Sequence, residues 1–420
     1  MATGRLNAGV AELDITPRAG GELAGELNPR PSTGVRTPLR ALALVLSNGE
    51  ETLALVTLDL YGLQGQAADR LAQAAGESAG LQPGAVMVIS SHTRGGPCTT
   101  PVVGCAGPDE AYLAQVVATA ADVVAEAKSR LQEASLGLGH ALLPHLVYNH
   151  RLLTRNMKAI SAWLGVPRNE VLEPEGPIDP EFQVLVLRDG HGFPICFLWN
   201  LAADNRFSQD GLISSDLPGL VQQELDARLG WHVPALYLAG CGGNVSFHQG
   251  LEESADAVAS AVMAVQFETP CDPLVRLACA SEKMILPIRD YAQFWSLADI
   301  ELKWPQAVDV YARELELLRQ EGARAVPTRV QAFHLGSLAL VGLPGMPFVE
   351  FGLQIKAQSP FRATVVAGNA GGDVGYVITR QAFEGQGFET WPARSAVIGP
   401  GGGEFMAEEA GALLQELWGR

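Results

Sequence analysis

The sequence predicts an α/β protein in which mixed β-sheets are flanked by α-helices. Apolar, strand-like runs alternate with amphipathic helical segments along the 420 residues, and glycine-rich turns connect them. No internal repeat, low-complexity segment or linker divides the sequence. We therefore expect residues 1–420 to form one domain.

The N-terminal part is predicted to begin with strands. Residues 9–15, GVAELDI, alternate in polarity, and two apolar runs within 39–60 flank Asn48-Gly49, a dipeptide typical of a β-hairpin turn. A helix over 67–80, a buried strand over 85–90 and a long helix over 111–134 are predicted to follow.

The remaining elements continue the alternation. Two strands within 181–202 flank the turn Asp189-Gly190. The later predictions, in order, are a helix over 217–230, a strand over 234–240, a helix over 252–265, a helix over 310–322, a hairpin within 330–352, a strand within 361–378 and a closing helix over 403–418.

Composition restricts the classes of partner. A net charge of -17 disfavours nucleic acid and anionic membrane surfaces, because the field of the protein repels both. The sequence contains no apolar stretch of membrane-spanning length and starts without the apolar region of a signal peptide, so we expect a cytoplasmic protein with no stable membrane association. The expected partner is a small-molecule substrate, and a homo-oligomer is left open. The six cysteines are too sparse for a disulfide scaffold.

Functional residue types concentrate in four loops that follow predicted strands. These loops are SSHTRGGP (90–97), NLAADNRFS (200–208), CGGNVSFHQG (241–250) and GNAGGDVGYV (368–377). Loops held by a rigid sheet are where sites usually lie. Each loop alone is a weak signal, since a lone histidine is more often structural and GGNVS does not match the G-x-S-x-G nucleophile motif.

A series of motifs makes the chain resemble the neutral/alkaline non-lysosomal ceramidase family. The motifs, in family order and at about the family spacing, are GVAELDITPRAGG, SSHTRGGP, GPIDPEFQVLVL, LISSDLPGLV, GGNVS, VGLPGMPFVEFG and GYVITRQAFEGQGFE. The resemblance covers nearly the whole chain and implies a zinc-dependent catalytic domain that hydrolyses an N-acyl amide. The C-terminal immunoglobulin-like domain of ceramidases is expected to be missing.

The resemblance also implies a metal site, which this sequence retains in part. His92 matches a zinc-binding histidine, Tyr376 matches a ligand tyrosine, and Asp204 stands where a second histidine is expected. Aspartate is a competent ligand, whereas Met346, which replaces a ligand glutamate, is a poor one. Asp373 is expected to face the same cavity and to complete a site for zinc or another divalent metal.

The catalytic and substrate-binding positions are similarly mixed. Ser246 is retained, but Arg94 replaces a catalytic histidine and cannot accept a proton near neutral pH. Arg151 matches an arginine that the family uses near the substrate. We therefore place Ser246, Arg94 and Arg151 at the catalytic centre. Asn244 and Phe388 join both arginines against the substrate, with the guanidinium groups binding an anionic part of it.

Three hypotheses of function follow. The first is a metal-assisted hydrolase of a small amide or related substrate. The second is a metal-free descendant of the same fold that binds a ligand without turnover. The third is a hydrolase in which Ser246 is the nucleophile and His248 is its base, since residues i and i+2 of an extended segment share a face.

Overall fold

A computed structural model of the protein describes residues 3–25, 27–207, 210–291, 296–322 and 325–419. The strands, in chain order, are β1 (Gly4–Arg5), β2 (Asn7–Asp14), β3 (Gly34–Val35), β4 (Arg40–Ser47), β5 (Thr52–Leu58), β6 (Val86–Ser90), β7 (Gln132–Leu142), β8 (Val147–Asn149), β9 (Arg151–Thr154), β10 (Ala159–Ser161), β11 (Val171–Pro174), β12 (Glu181–Asp189), β13 (Pro194–Leu201), β14 (Leu212–Ile213), β15 (Ala235–Ala239), β16 (Val245–Phe247), β17 (Leu274–Val275), β18 (Leu277–Leu286), β19 (Val326–Leu335), β20 (Leu338–Gly342), β21 (Met346–Pro347), β22 (Ala363–Ala367) and β23 (Tyr376–Val377). The α-helices are α1 (Gly65–Ala79), α2 (Glu110–Ser129), α3 (Leu217–Leu229), α4 (Leu251–Glu268), α5 (Leu297–Lys303), α6 (Val308–Glu321), α7 (Val349–Gln358), α8 (Arg380–Gly385) and α9 (Gly402–Gly419).

Two large sheets organise these elements. The first has eight strands in the order β15-β13-β12-β7-β2-β4-β5-β6, and the second has four in the order β18-β19-β20-β22. Both are mixed: β13 and β15, β5 and β6, and β20 and β22 pair in parallel, whereas the other neighbours are antiparallel. The hairpin predicted around Asn48-Gly49 is formed by β4 and β5.

The inner faces of the two sheets pack against each other. Side chains in a strand alternate between faces, so every second residue enters the same layer. Leu44 and Leu55 of the eight-stranded sheet belong to one buried cluster with Phe333 and Leu340 of the four-stranded sheet. The principal apolar layer therefore lies between the sheets.

Helices cover both outer faces. Helices α1 and α2 pack on β2, β4 and β5, where small side chains such as Ala43 and Ala54 let the helices approach. Helices α3 and α4 cover the β12, β13 and β15 part of the same face. Helices α7 and α9 cover the four-stranded sheet. The layers run helix, sheet, sheet, helix, which confirms the predicted class of mixed sheets flanked by helices.

Two element boundaries differ from the sequence prediction. Helix α2 ends at Ser129, and the residues up to 134 that were predicted as helix already belong to strand β7. Gly137 and Gly139 obscure this strand in the sequence, because glycine weakens strand patterns. The fold needs both glycines: a Cβ atom on Gly137 would lie 2.2 Å from the carbonyl oxygen of Pro270. The predicted hairpin within 330–352 also gives way to helix α7 at Val349.

Within the described ranges, no helix combines the length and the apolar character that a membrane crossing requires. The six cysteines all lie in these ranges, and none of them forms a disulfide bond.

Candidate functional site

The candidate site lies where the carboxyl ends of several strands meet. The segment after β22 joins two of them: the Gly368 N–H donates to the carbonyl oxygen of Ala239 at 2.7 Å, and the Asn369 carbonyl accepts from the Ser90 N–H at 3.0 Å. Glycine at 368 permits this approach, because a Cβ atom there would meet Pro347 Cδ at 3.1 Å. The loops that follow β6, β15 and β22 are thereby brought together, as the sequence predicted.

His92, Asp204 and Arg94 form a buried cluster in these loops. His92 Nδ1 lies 2.9 Å from one carboxylate oxygen of Asp204, and Arg94 Nη2 lies 3.4 Å from the other. The side chains of His92, Asp204 and Arg94 are only 3%, 2% and 9% exposed. His92 has a φ of 58°, an uncommon backbone conformation for a residue with a side chain, and its ring packs against Tyr61 at 4.1 Å. The sequence predicted His92 and Asp204 as neighbouring metal ligands, and in the structure they are hydrogen-bonded to each other, with Arg94 on the second oxygen of Asp204.

Asp204 and Arg94 each favour the ionised form of the other. Burial alone would raise the pKa of the Asp204 carboxyl, but Arg94 and His92 outweigh burial and hold that pKa well below its usual range. Burial would also lower the pKa of Arg94, and Asp204 outweighs it and raises that pKa. Asp204 and Arg94 thus form an ionised pair whose side chains are almost fully buried.

This arrangement does not fit a divalent metal. The two Asp204 oxygens already face His92 and Arg94, and the permanent cation of Arg94 would repel a metal ion at the same carboxylate. His92 Nε2 is buried and has no hydrogen-bond partner among the residues that the structure describes. This nitrogen points away from Asp204, which is bonded to Nδ1 on another side of the ring. In the described part of the chain, no group of three His, Cys, Asp or Glu side chains converges as metal ligands do.

The remaining side chains that bear on a metal site are Tyr376, Asp373, Met346 and Glu350. Tyr376 lines the cavity beside Arg94, and burial raises its pKa to about 12, so its hydroxyl is protonated near neutral pH. Asp373 accepts a hydrogen bond from the Gly375 N–H at 2.8 Å, and burial raises its pKa. Met346 packs in the core, and Glu350 accepts from the Asn244 amide at 2.9 Å. Metal binding by His92, Asp204, Tyr376 and Asp373 stays a prediction that this geometry does not favour.

A second polar chain lies beside the first cluster and includes Ser246. The Ser246 hydroxyl lies 2.8 Å from His150 Nδ1, and His150 Nε2 lies 2.8 Å from Glu389 Oε1. Strand pairing sets this arrangement, because β16 carries Ser246 opposite β8, and His150 directly follows β8. Ser246 is half-buried and lines a cavity, whereas His150 and Glu389 are buried behind it. A hydroxyl, an imidazole and a carboxylate in this order are the parts of a nucleophile with its base and its orienting acid.

Arg151 extends the chain into the interior. It bonds Glu389 on one side and Glu175 on the other, and its remaining donors reach the carbonyl oxygens of Ala382 and Gln386. Burial would raise the pKa of Glu389, but Arg151 and His150 outweigh burial and lower that pKa to about 2. Arg151 bonds Glu389 and is not among the described residues that line the cavity, so the substrate contact expected of it stays a prediction that this position does not favour.

The base predicted for Ser246 is wrong in this structure. His248 is exposed and stacks on Tyr148 at 4.5 Å, and the imidazole that reaches the Ser246 hydroxyl belongs to His150. The end of strand β16 explains the difference, because the extended segment that would place residues i and i+2 on one face stops at Phe247.

The cavity in front of Ser246 has a volume of about 790 Å³, which suits a small organic molecule. One part of its wall is aromatic and includes Tyr148, Trp163, Phe207, Phe247, Trp304 and Phe388. Phe388 thus lines the cavity, and its contact with a substrate stays a prediction. Asn244 does not line the cavity; its amide oxygen instead accepts from the Val349 N–H, and its own carbonyl accepts from the His150 N–H.

Arg206 brings a further cation to the cavity wall. Its guanidinium lies over the ring of Trp163, with 4.1 Å between Cζ and the ring centre. Its Nη1 atom is buried and has no hydrogen-bond partner among the described residues. Burial and the nearby charge of Arg94 lower its pKa. Both arginines and Asp204 line the same cavity.

Two solved structures are similar to the whole chain. The neutral ceramidase from Pseudomonas aeruginosa superposes with a TM-score of 0.75 over 98% of this chain and 74% of its own, at 18% identity. A ceramidase complexed with C2 superposes with a TM-score of 0.75 over 99% of this chain and 76% of its own, at 17% identity. The chain has the neutral ceramidase fold. No protein-family profile matches the sequence, and no curated protein is significantly similar to it.

The ceramidase resemblance seen in the sequence is thus confirmed at the level of the fold, and the site contains three residues that the motifs did not single out. These are His150, Glu389 and Arg206. Each lies close to a residue that the sequence analysis named: His150 precedes Arg151, Glu389 follows Phe388, and Arg206 belongs to the loop of Asp204. The sequence offered one indication of His150 and Glu389, since each is adjacent to an expected site residue. Their link to Ser246 depends on contacts between distant parts of the chain.

Proposed function

We propose that this protein is a hydrolase of the ceramidase fold that cleaves an amide or related ester bond with Ser246 as its nucleophile. His150 is the general base, and Glu389 orients its ring. One observation carries the proposal: the hydroxyl that lines the cavity is hydrogen-bonded to an imidazole whose other nitrogen bonds a buried carboxylate. Neither Ser246 nor His150 depends on a metal ion in this role.

The contacts define the order of proton transfers. Ser246 Oγ attacks the acyl carbon while its proton moves to His150 Nδ1, and the proton on Nε2 stays in the hydrogen bond to Glu389. The C–N or C–O bond then breaks, and His150 returns the proton to the departing amine or alcohol. Water, activated by the same imidazole, hydrolyses the acyl-serine and regenerates the hydroxyl.

The side chains behind His150 carry a net negative charge. Arg151 lies between Glu389 and Glu175, so these three side chains together carry one net negative charge. In a buried site that charge stabilises an imidazolium, which forms whenever Ser246 is deprotonated. Arg151 also fixes Glu389 in place, and therefore it positions the base without touching substrate.

Other features stay predictions. A metal-assisted hydrolase and a binder without turnover are the alternatives. A cytoplasmic location, a small-molecule partner, and no nucleic-acid or stable membrane partner are expected from charge and composition. A homo-oligomer is left open.

The test uses a fluorophosphonate, which phosphonylates an activated serine, together with nitrophenyl esters and anilides of short acyl groups. We expect one adduct per chain by intact mass, mapped to Ser246 by peptide sequencing. Ser246→Ala and His150→Ala should each lower kcat/KM by about a thousandfold or more. Ser161→Ala is the matched control, because Ser161 is buried but does not line the cavity, and it should keep both labelling and turnover.

A chelator separates the serine mechanism from the metal-assisted one. Turnover that survives prolonged dialysis against a chelator and disappears in Ser246→Ala supports the proposal. Turnover that persists in Ser246→Ala, or that the chelator abolishes and zinc restores, contradicts it.

A further inference from the structure

The charge balance of the cavity in front of Ser246 is uneven. In the described part of its wall the charged side chains are Arg30, Arg94, Arg206 and Asp204, three cations and one anion. Asp204 is engaged by Arg94 and by His92. A chain with a net charge of -17 thus places three arginines together in a partly enclosed space, where their charge attracts an anion most strongly.

Arg206 is a cation of this wall whose hydrogen-bonding capacity is partly unused. Its Nη1 atom is buried, yet it has no partner within the described ranges. Leaving a buried donor unpaired is unfavourable, and such groups in native proteins usually call for an explanation. A bound acceptor in the cavity would satisfy this donor and would also relieve the repulsion between Arg206 and Arg94.

The position of Arg206 relates this donor to the reacting groups. Trp163 contacts Arg206 on its face at 4.1 Å and contacts the ring of His150 edge-on at 4.6 Å. One indole therefore separates the free guanidinium edge from the catalytic base. Stacking on Trp163 also restricts the guanidinium plane, so its N–H donors are oriented before a ligand binds.

We infer that the substrate carries a carboxylate, which Arg206 binds with help from Arg94, in the same molecule as an apolar group that contacts the aromatic wall. This inference rests on the proposed hydrolase function and names its substrate class: an anionic acyl amide or ester. A guanidinium matches a planar carboxylate with two parallel hydrogen bonds, and Phe207, Phe247 and Phe388 supply the apolar contact.

Binding can be measured without turnover in the full-length Ser246→Ala protein. The probes are benzoate, phenylacetate, 3-phenylpropionate and N-benzoylglycine, each compared with the primary amide of the same acid. Titrations follow the fluorescence of Trp163 and Trp304 and the shift in Tm. We expect at least one carboxylate to bind about tenfold or more tightly than its amide. Arg206→Met should remove that preference, and Arg206→Lys should retain part of it.

Arg70→Met is the control, since Arg70 is an exposed arginine outside the cavity, and it should leave the preference unchanged. Unchanged amide binding in Arg206→Met shows that the variant is folded. If no carboxylate binds more tightly than its amide, or if Arg206→Met keeps the preference, the inference is overturned. Because Ser246 is already removed, carboxylate binding can stand even if the serine mechanism fails, and the reverse also holds.

Discussion

Arg151 and Glu389 form an ion pair in which neither side chain is exposed to solvent. Such a pair is costly to assemble, because both charges lose their hydration, and removing one partner leaves the other uncompensated. The pair is therefore weak evidence of stability on its own. Its value in this structure is that Glu389 stays ionised with its second oxygen on His150, which fixes the direction of the imidazole.

The low pKa of Glu389 predicts a dependence of stability on acid. Its folded pKa of about 2 lies below the ordinary value of 4.5, so the unfolded chain binds the proton more readily between these two values. The contribution of Glu389 to the free energy of unfolding is complete above pH 4.5 and is lost as the pH falls towards 2. A shift of this size corresponds to about 3 kcal/mol in the free energy of unfolding. Denaturant titrations from pH 2 to pH 6 measure it.

Glu389→Gln provides the comparison for that measurement. Asp204 also has a lowered pKa, so the wild-type protein should retain some acid sensitivity from that group as well. The variant should take up about one proton fewer than the wild type on unfolding between pH 2 and pH 4.5. Equal slopes of stability against pH in the two proteins would show that Glu389 is not the group responsible.

The value of kcat should respond differently to the loss of Glu389 and of Glu175, the two carboxylates that bind Arg151. Glu389→Gln keeps the shape but removes the charge next to His150, so we expect kcat to fall by about 100-fold to 10,000-fold with little change in KM. Glu175→Gln removes the other partner of Arg151 without touching His150, and kcat should change by less than about tenfold. Steady-state kinetics on an activated ester compare the two. Similar losses in both variants would mean that Arg151, rather than the orientation of His150, limits the rate.

The sequence predicted the fold well where local patterns agree with the tertiary structure. The hairpin of β4 and β5 was visible because an Asn-Gly turn separates two apolar runs. Strand β7 was missed because Gly137 and Gly139 weaken the pattern, and their role appears only when Thr269 and Pro270 lie against them. The strand propensity of a short segment does not reveal its contact with a segment about 130 residues away in the sequence.

The sequence predicted those site residues that lie within a single motif. His92 and Asp204 were expected together and are bonded, and Ser246 was expected to face the cavity and lines it. His150 and Glu389 were missed because their partners lie 96 and 239 residues away in sequence. A single sequence shows which residues follow strands, whereas pairing across strands decides which imidazole reaches a given hydroxyl.

The charge of Arg94 leads us to expect that the protein binds a divalent metal weakly. Its guanidinium holds an oxygen of Asp204 and places a permanent positive charge where a divalent ion would need a ligand. We expect Zn²⁺ to bind Arg94→Ala about tenfold or more tightly than the wild type, because a unit charge a few ångströms away costs a cation several kcal/mol in a buried site. Equilibrium dialysis with elemental mass spectrometry measures both affinities, and Arg70→Ala should match the wild type. Stoichiometric zinc in the wild-type protein, lost in His92→Ala, would instead restore the metal site that the sequence resemblance implied and would make Arg94 a neighbour of the ion.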